Sequence, residues 1–294
     1  MDPNIPRANR TDGPARPPLL LRITAVTMAA ALIWYSLAAL NDLSPIEAGD
    51  SGNLAHWMNA LVAFALAVPM VWAARRFLDR RPWEGLRLTG PREAWRPFLV
   101  GLASWLLPAS LGLGVCLALG VTITPSAPTA EVVFSLMMVV VLVLLYEALP
   151  EELIFRGHLF RNLNTVMSGW AAVLGQAVLF GLWGSGLWVF SQGWGVLVER
   201  LPLFIGVALV LGCIRLVTGN LWACVGFHLA FQVGAQGLLN WGLFEVSDLD
   251  TVMGTVFMLP LVLGLLTTMM LLRDTGTWSE RIPDQAPRDS SAGR

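Results

Sequence analysis

The stretch YEALPEELIFRGHLFR, residues 146–161, holds three glutamates, two arginines and a histidine. It directly follows the almost wholly apolar run EVVFSLMMVVVLVLL, residues 131–145. A charged side chain at the centre of a bilayer costs about 2.5–3.5 kcal/mol on insertion scales, so an intramembrane carboxylate marks a functional site by default. On a helix, Glu152 and Arg156 stand at i and i+4, on one face and in the order that favours an ion pair. Glu151 projects about 100° away from Glu152. One carboxylate can therefore be held by arginine while the other faces a cavity. Glu147 lies one turn before Glu151 on roughly the same face, and Pro150 removes a backbone donor just ahead of the pair and can kink the helix. A poorly solvated pair of this kind suits proton transfer. The plainer reading of Glu152 and Arg156 is a buried ion pair that anchors the end of a helix.

A second candidate element is TGNLWACVGFHLAFQ, residues 218–232, where His228 and Gln232 share a helix face. Counted from Gly219 at 1.5 Å per residue, His228 lies about 13 Å along its helix, a depth that overlaps that of Glu151. A third element, QAVLFGLWGSGLW at 176–188, carries Gln176, Phe180, Gly181, Gly184 and Gly186, small residues that let helices approach closely.

The composition sets the class. The 294 residues are 55% hydrophobic and 13% charged, against about 25% charged in soluble domains. The reading is an all-α polytopic membrane protein. Apolar runs of spanning length fall at about 21–40, 55–74, 97–122, 132–154, 169–190, 201–217, 219–241 and 252–272, which predicts a bundle of about eight helices. Residues 155–168 are amphipathic and read as interfacial. Residues 1–20 and 273–294 read as disordered tails on either side of a single transmembrane domain, 21–272. The first run is too long for a cleaved signal peptide and reads as an uncleaved span.

Eight spans put both termini on one side. Every arginine except Arg200 then falls on that side, with acids such as Asp42, Glu47, Asp50, Glu245, Asp248 and Asp250 opposite. The positive-inside bias makes that side cytoplasmic. All basic residues are arginine, and seven of them lie between Arg75 and Arg96, in a segment read with Trp83 and Trp95 as a solvated interfacial loop. Cys116, Cys213 and Cys224 sit in apolar runs with no metal-ligand spacing and read as core residues. No feature points to nucleic acid. The lipid bilayer is the one partner that composition implies.

The motifs Glu151-Glu152-x-x-x-Arg156, with Phe155 and Gly157, and the block Phe204, Gly206, Gly212, Arg215, Thr218, Gly219, Leu221, Trp222, His228 resemble the intramembrane CPBP protease family. This is also called the CAAX-protease and bacteriocin-processing (abortive-infection) family. The resemblance covers roughly 130–240. Two departures stand out. Gly184 occupies the place of the family's second-motif histidine, four residues after Phe180, and Gln232 replaces an asparagine after His228. His158 lies too far along its helix to replace the missing imidazole, and His56 sits toward the opposite end of its span.

The resemblance implies peptide hydrolysis of a membrane-associated, CAAX-like peptide or protein in the plasma (inner) membrane of a bacterium. Glu151 would activate water, Glu152 and Arg156 would shape the site, and His228 with Gln232 would donate to the oxyanion. Phe180 and Gly184 would border the substrate. A divalent metal such as zinc would have only Glu151 and His228 as candidate ligands, short of the usual three, so a metal-free glutamate mechanism is the easier one. The rival reading is a catalytically impaired pseudoprotease acting as a membrane binding or immunity protein. A proton-coupled transporter would call for inverted repeats, and none is visible.

Overall fold

The computed structural model describes residues 16–43 and 54–284. The expected disordered tails fall outside it over 1–15 and 285–294, as do Glu47 and Asp50 among the acids of the topology argument. Eight long helices follow in order: α1 (Leu19–Leu43), α2 (Leu54–Asp79), α3 (Pro91–Ala118), α4 (Thr129–Asn164), α5 (Gly169–Gln192), α6 (Leu197–Thr218), α7 (Leu221–Ala235, running on through a wider turn Gln236–Asn240) and α8 (Leu249–Leu272). Seven of them contain stretches long and apolar enough to cross a membrane. The eighth, α7, falls short because His228, Gln232 and Gln236 interrupt its apolar sequence. It lies against α3, α4 and α6, so its polar face meets protein rather than lipid.

Close helix contact is built on glycine. A Cβ on Gly101 of α3 would run into the carbonyl of Ala223 in α7, and one on Gly226 of α7 into the carbonyl of Phe98 in α3. A Cβ on Gly112 would stand 2.6 Å from the Thr255 carbonyl oxygen of α8. Ser104 and Thr268 add a buried hydroxyl pair at 2.8 Å between α3 and α8. In lipid, where apolar surface gives helices no preference for one another, such backbone approaches are what fix the packing. The loops after α3 and α7 meet in a two-stranded antiparallel ribbon, β1 (Ile123–Pro125) and β2 (Phe244–Val246), with Thr124 opposite Glu245. This ribbon had no signature in the sequence pattern.

The arginine-rich end differs from expectation in three places. Residues 155–164 are buried throughout rather than interfacial. The segment after α2 is not simply a solvated loop: Arg75 and Asp79 lie in the last, π-type turns of that helix, at 1% and 0% exposure. Residues 274–284 lie back on the bundle rather than leaving it. The Trp170 N–H donates to the Trp278 carbonyl at 3.0 Å, the Asn164 amide donates to the Glu280 carbonyl at 3.1 Å, and Arg161 donates to the carbonyls of Ile282 and Pro283.

The shared cause is a buried polar network. Asp79 accepts from Arg22 at 3.2 Å, Arg75 at 3.0 Å and Asn162 at 3.1 Å, and His158 Nε2 stands 3.2 Å away. Arg22 also donates to Asn162. Asp284 takes two contacts from Arg75, at 2.8 and 3.3 Å. Charges that deep must be paired, and pairing them draws α1, α2, α4 and the C-terminal segment together.

The glycine contacts are testable. Gly226→Ala should destabilise the protein by about 1–3 kcal/mol through overpacking and lower the thermal midpoint in detergent. Gly114→Ala, where an added Cβ meets nothing within 4 Å, should leave it unchanged.

Candidate active site

Helix α4 is not uniform. Leu144–Ala148 and Leu153–Leu159 are wound as π-helix, with the short α-helical turn Leu149–Glu152 between them. The first wide segment ends just before Pro150, which has no N–H to give to the turn before it. Wide turns of this kind often accompany functional sites because they re-aim side chains. The turn between them carries Glu151 and Glu152 into the bundle, where they are 7% and 0% exposed.

The expected i, i+4 pair forms: Arg156 Nη1 donates to Glu152 Oε1 at 2.9 Å. The same oxygen receives His228 Nδ1 of α7 at 2.8 Å. An ionised carboxylate only accepts, so Nδ1 carries the proton, and in the neutral ring Nε2 presents its lone pair. That Nε2 stands 3.9 Å from Glu151 Oε2, too far for a direct hydrogen bond. Glu151 takes part in no hydrogen bond among the described residues. The two neighbouring carboxylates therefore have different employment: Glu152 is spent on Arg156 and His228, and Glu151 is left available.

One expected site residue, Gln232, is engaged elsewhere. The Gln232 amide donates to Glu147 Oε2, and Gln236 donates to Glu147 Oε1 at 3.0 Å. Gln232 is thus turned toward Glu147 rather than toward the space between Glu151 and His228, because an unpaired carboxylate one turn along α4 attracts its donor. Gln236 was not anticipated. The signal was present, since it stands one further turn along α7 on the face of His228 and Gln232.

Phe180 is 2% exposed and borders no open space. Its ring lies under the Arg156 guanidinium at 4.4 Å and packs against Phe155, Trp183 and Phe204. That cation–π contact offsets the absence of acceptors for Arg156 Nε and Nη2. In this structure Phe180 supports Arg156 from within the core. Gly184 is closed off as well: a Cβ there would stand 2.8 and 2.9 Å from ring carbons of Phe204. Gln176 cannot compensate, since its amide donates to the carbonyls of Val173 and Ala208 and joins α5 to α6. His158 sits with Asp79 at the arginine-rich end and the His56 ring beside Trp241, so neither joins the site.

The donor set does not fit a zinc ion. Glu151 and His228 supply two ligands, short of the three protein ligands usual for a catalytic zinc. The place of a third ligand, at Gly184, is occupied by the Phe204 ring. No cluster of three or more ligating side chains suited to a metal occurs among the described residues.

Fold and site together define a multi-pass helical membrane protein with a carboxylate–imidazole cluster buried among its helices. Residues 133–234, from α4 through α7, match the family described as Type II CAAX prenyl endopeptidase Rce1-like. This agrees with the resemblance carried by Glu151-Glu152-x-x-x-Arg156 and His228. No curated protein matches the chain.

The shared carboxylate makes a stability prediction. Glu152→Leu strands the buried Arg156 guanidinium and should cost about 3–5 kcal/mol. The double variant Glu152→Leu/Arg156→Met should cost less than Glu152→Leu alone. Unfolding curves of the three proteins in one detergent check the order.

Proposed function

We propose that the chain is an intramembrane endopeptidase that hydrolyses a peptide bond of a membrane-associated, CAAX-like substrate, with Glu151 as general base. The observation that carries this reading is the division of labour between Glu152, bound to Arg156 and His228, and Glu151, unbound and facing His228 Nε2. A water beside that gap can touch both groups. Glu151 takes its proton as the water oxygen attacks the scissile carbonyl carbon. The tetrahedral intermediate then collapses: the C–N bond breaks, the proton held by Glu151 passes to the leaving nitrogen, and a carboxylic acid and an amine result. His228, fixed through Nδ1 by Glu152, aims its Nε2 lone pair at the same space and orients the attacking water by accepting a hydrogen bond from it, while Glu151 takes the other proton. Glu147 holds Gln232 and Gln236 beside this centre. The scheme needs no metal.

The arginine bias supports reading the end that carries the C-terminal segment as the cytoplasmic one. The substrate then meets Glu151 from within that half of the bilayer.

One observation favours a second reading, a non-catalytic member that binds membrane peptides: the Phe204 ring fills the position where the second-motif histidine would project from residue 184. The two readings part in one assay. Purified protein offered prenylated and unprenylated membrane peptides should cleave some of them in the presence of chelator. Glu151→Gln should lower that rate by about 10²–10⁴-fold at an unchanged thermal midpoint. A wild type that cleaves nothing, beside a Gly184→His/Phe204→Ala variant that does, would establish the non-catalytic reading instead.

A further inference from the structure

The buried charges at the arginine-rich end do not balance. Four buried guanidinium groups, Arg22, Arg75, Arg161 and Arg215, face two buried carboxylates, Asp79 and Asp284. Both carboxylates are already committed. Asp79 is held by Arg22 and Arg75, and Asp284 by Arg75 at 2.8 Å and Arg161 at 3.4 Å. Arg215 is 4% exposed and has no carboxylate partner among the described residues. Its Nε donates to the Arg156 carbonyl at 3.2 Å and its Nη2 to the Leu86 carbonyl at 3.4 Å. Neutral carbonyls do not cancel its charge, and a buried charge without a counter-ion is strongly unfavourable.

Beside Arg215 lies a cavity of about 370 Å³, bordered by Arg161, Arg215, Phe160 and the C-terminal segment, with Arg87 and Glu84 at its wall. Arg87 and Glu84 are exposed, and the Arg87 Nε donates to the Gly219 carbonyl at 3.1 Å. Asp284 also lines the cavity but is held by Arg75 and Arg161, so three guanidinium groups there outnumber two acids, Asp284 and the exposed Glu84. Three guanidinium groups around one cavity, with positive charge in excess beneath it, fit a tetrahedral oxyanion that accepts several N–H donors at once.

We propose that this cavity is a binding site for a phosphate group, held by Arg87, Arg161 and Arg215. Inorganic phosphate and the phosphate of a lipid headgroup at the membrane surface share that chemistry. Binding here requires no hydrolysis, so the site stands independently of the peptidase reading. It also adjoins that centre, because Arg215 holds the backbone carbonyl of Arg156.

The test uses the full-length protein, once in detergent and once in phosphatidylcholine nanodiscs, with thermal midpoint and equilibrium binding as readouts. Inorganic phosphate is titrated into the detergent sample, and phosphatidic acid is added to the nanodiscs. A midpoint that rises with phosphate identifies a soluble anion. One that rises only with phosphatidic acid identifies the headgroup. In either case Arg87→Ala, an exposed substitution that leaves the buried network intact, should weaken binding about 3–10-fold, while Arg92→Ala, at the exposed start of α3, should match wild type. No response to either ligand, or an equal response from wild type and Arg87→Ala, overturns the proposal.

Discussion

One oxygen atom organises the candidate centre. Glu152 Oε1 receives Arg156 from its own helix and His228 from α7. Inside a bundle of apolar helices neither the carboxylate nor the guanidinium can remain unpaired, so this shared acceptor holds α4 against α7 and fixes the imidazole at the same time. Its consequence for Glu151 is indirect. With Arg156 and Nδ1 of His228 already taken, the second carboxylate has no local partner, and the free ring nitrogen points toward it. The availability of Glu151 follows from the engagement of Glu152.

The glycines make that arrangement reachable. Gly101 and Gly226 let α3 and α7 approach until backbone meets side-chain-free backbone, and α7 can then carry His228, Gln232 and Gln236 into the interior. Phe155, Phe180 and Trp183 close the other side of Arg156. The same logic operates at the arginine-rich end, where Asp79 and Asp284 gather α1, α2, α4 and the C-terminal segment. There, however, the cations outnumber the acids, and the excess borders an open cavity.

The helical class, the main spans and the Glu151, Glu152, Arg156 and His228 constellation were legible in the sequence because each depends on composition or on spacing within one helix. The Glu152–Arg156 pair forms even though Arg156 itself lies within π-type turns, since both residues stay on one face. What could not be read depends on partners distant in the chain. That Phe204 packs on Gly184 is a fact of how α5 meets α6. That Gln232 turns to Glu147 requires the register of α7 against α4. Arg75, Asp79 and Asp284 looked solvated because their segments are charged and interrupted by proline, and nothing local announces that they close on one another. His158 was rightly set apart from the glutamates, but its neighbour Asp79 lies in a different helix.

The shared acceptor can be observed without any substrate. The chain has three histidines, so ¹⁵N spectra of imidazole-labelled protein in detergent resolve few signals. His228 should be protonated and hydrogen-bonded at Nδ1 in the wild type. Glu152→Gln should shift that resonance while leaving those of His56 and His158 in place. A His228 ring protonated at Nε2 alone, or an Nδ1 signal indifferent to Glu152→Gln, would contradict the arrangement from which the availability of Glu151 is derived.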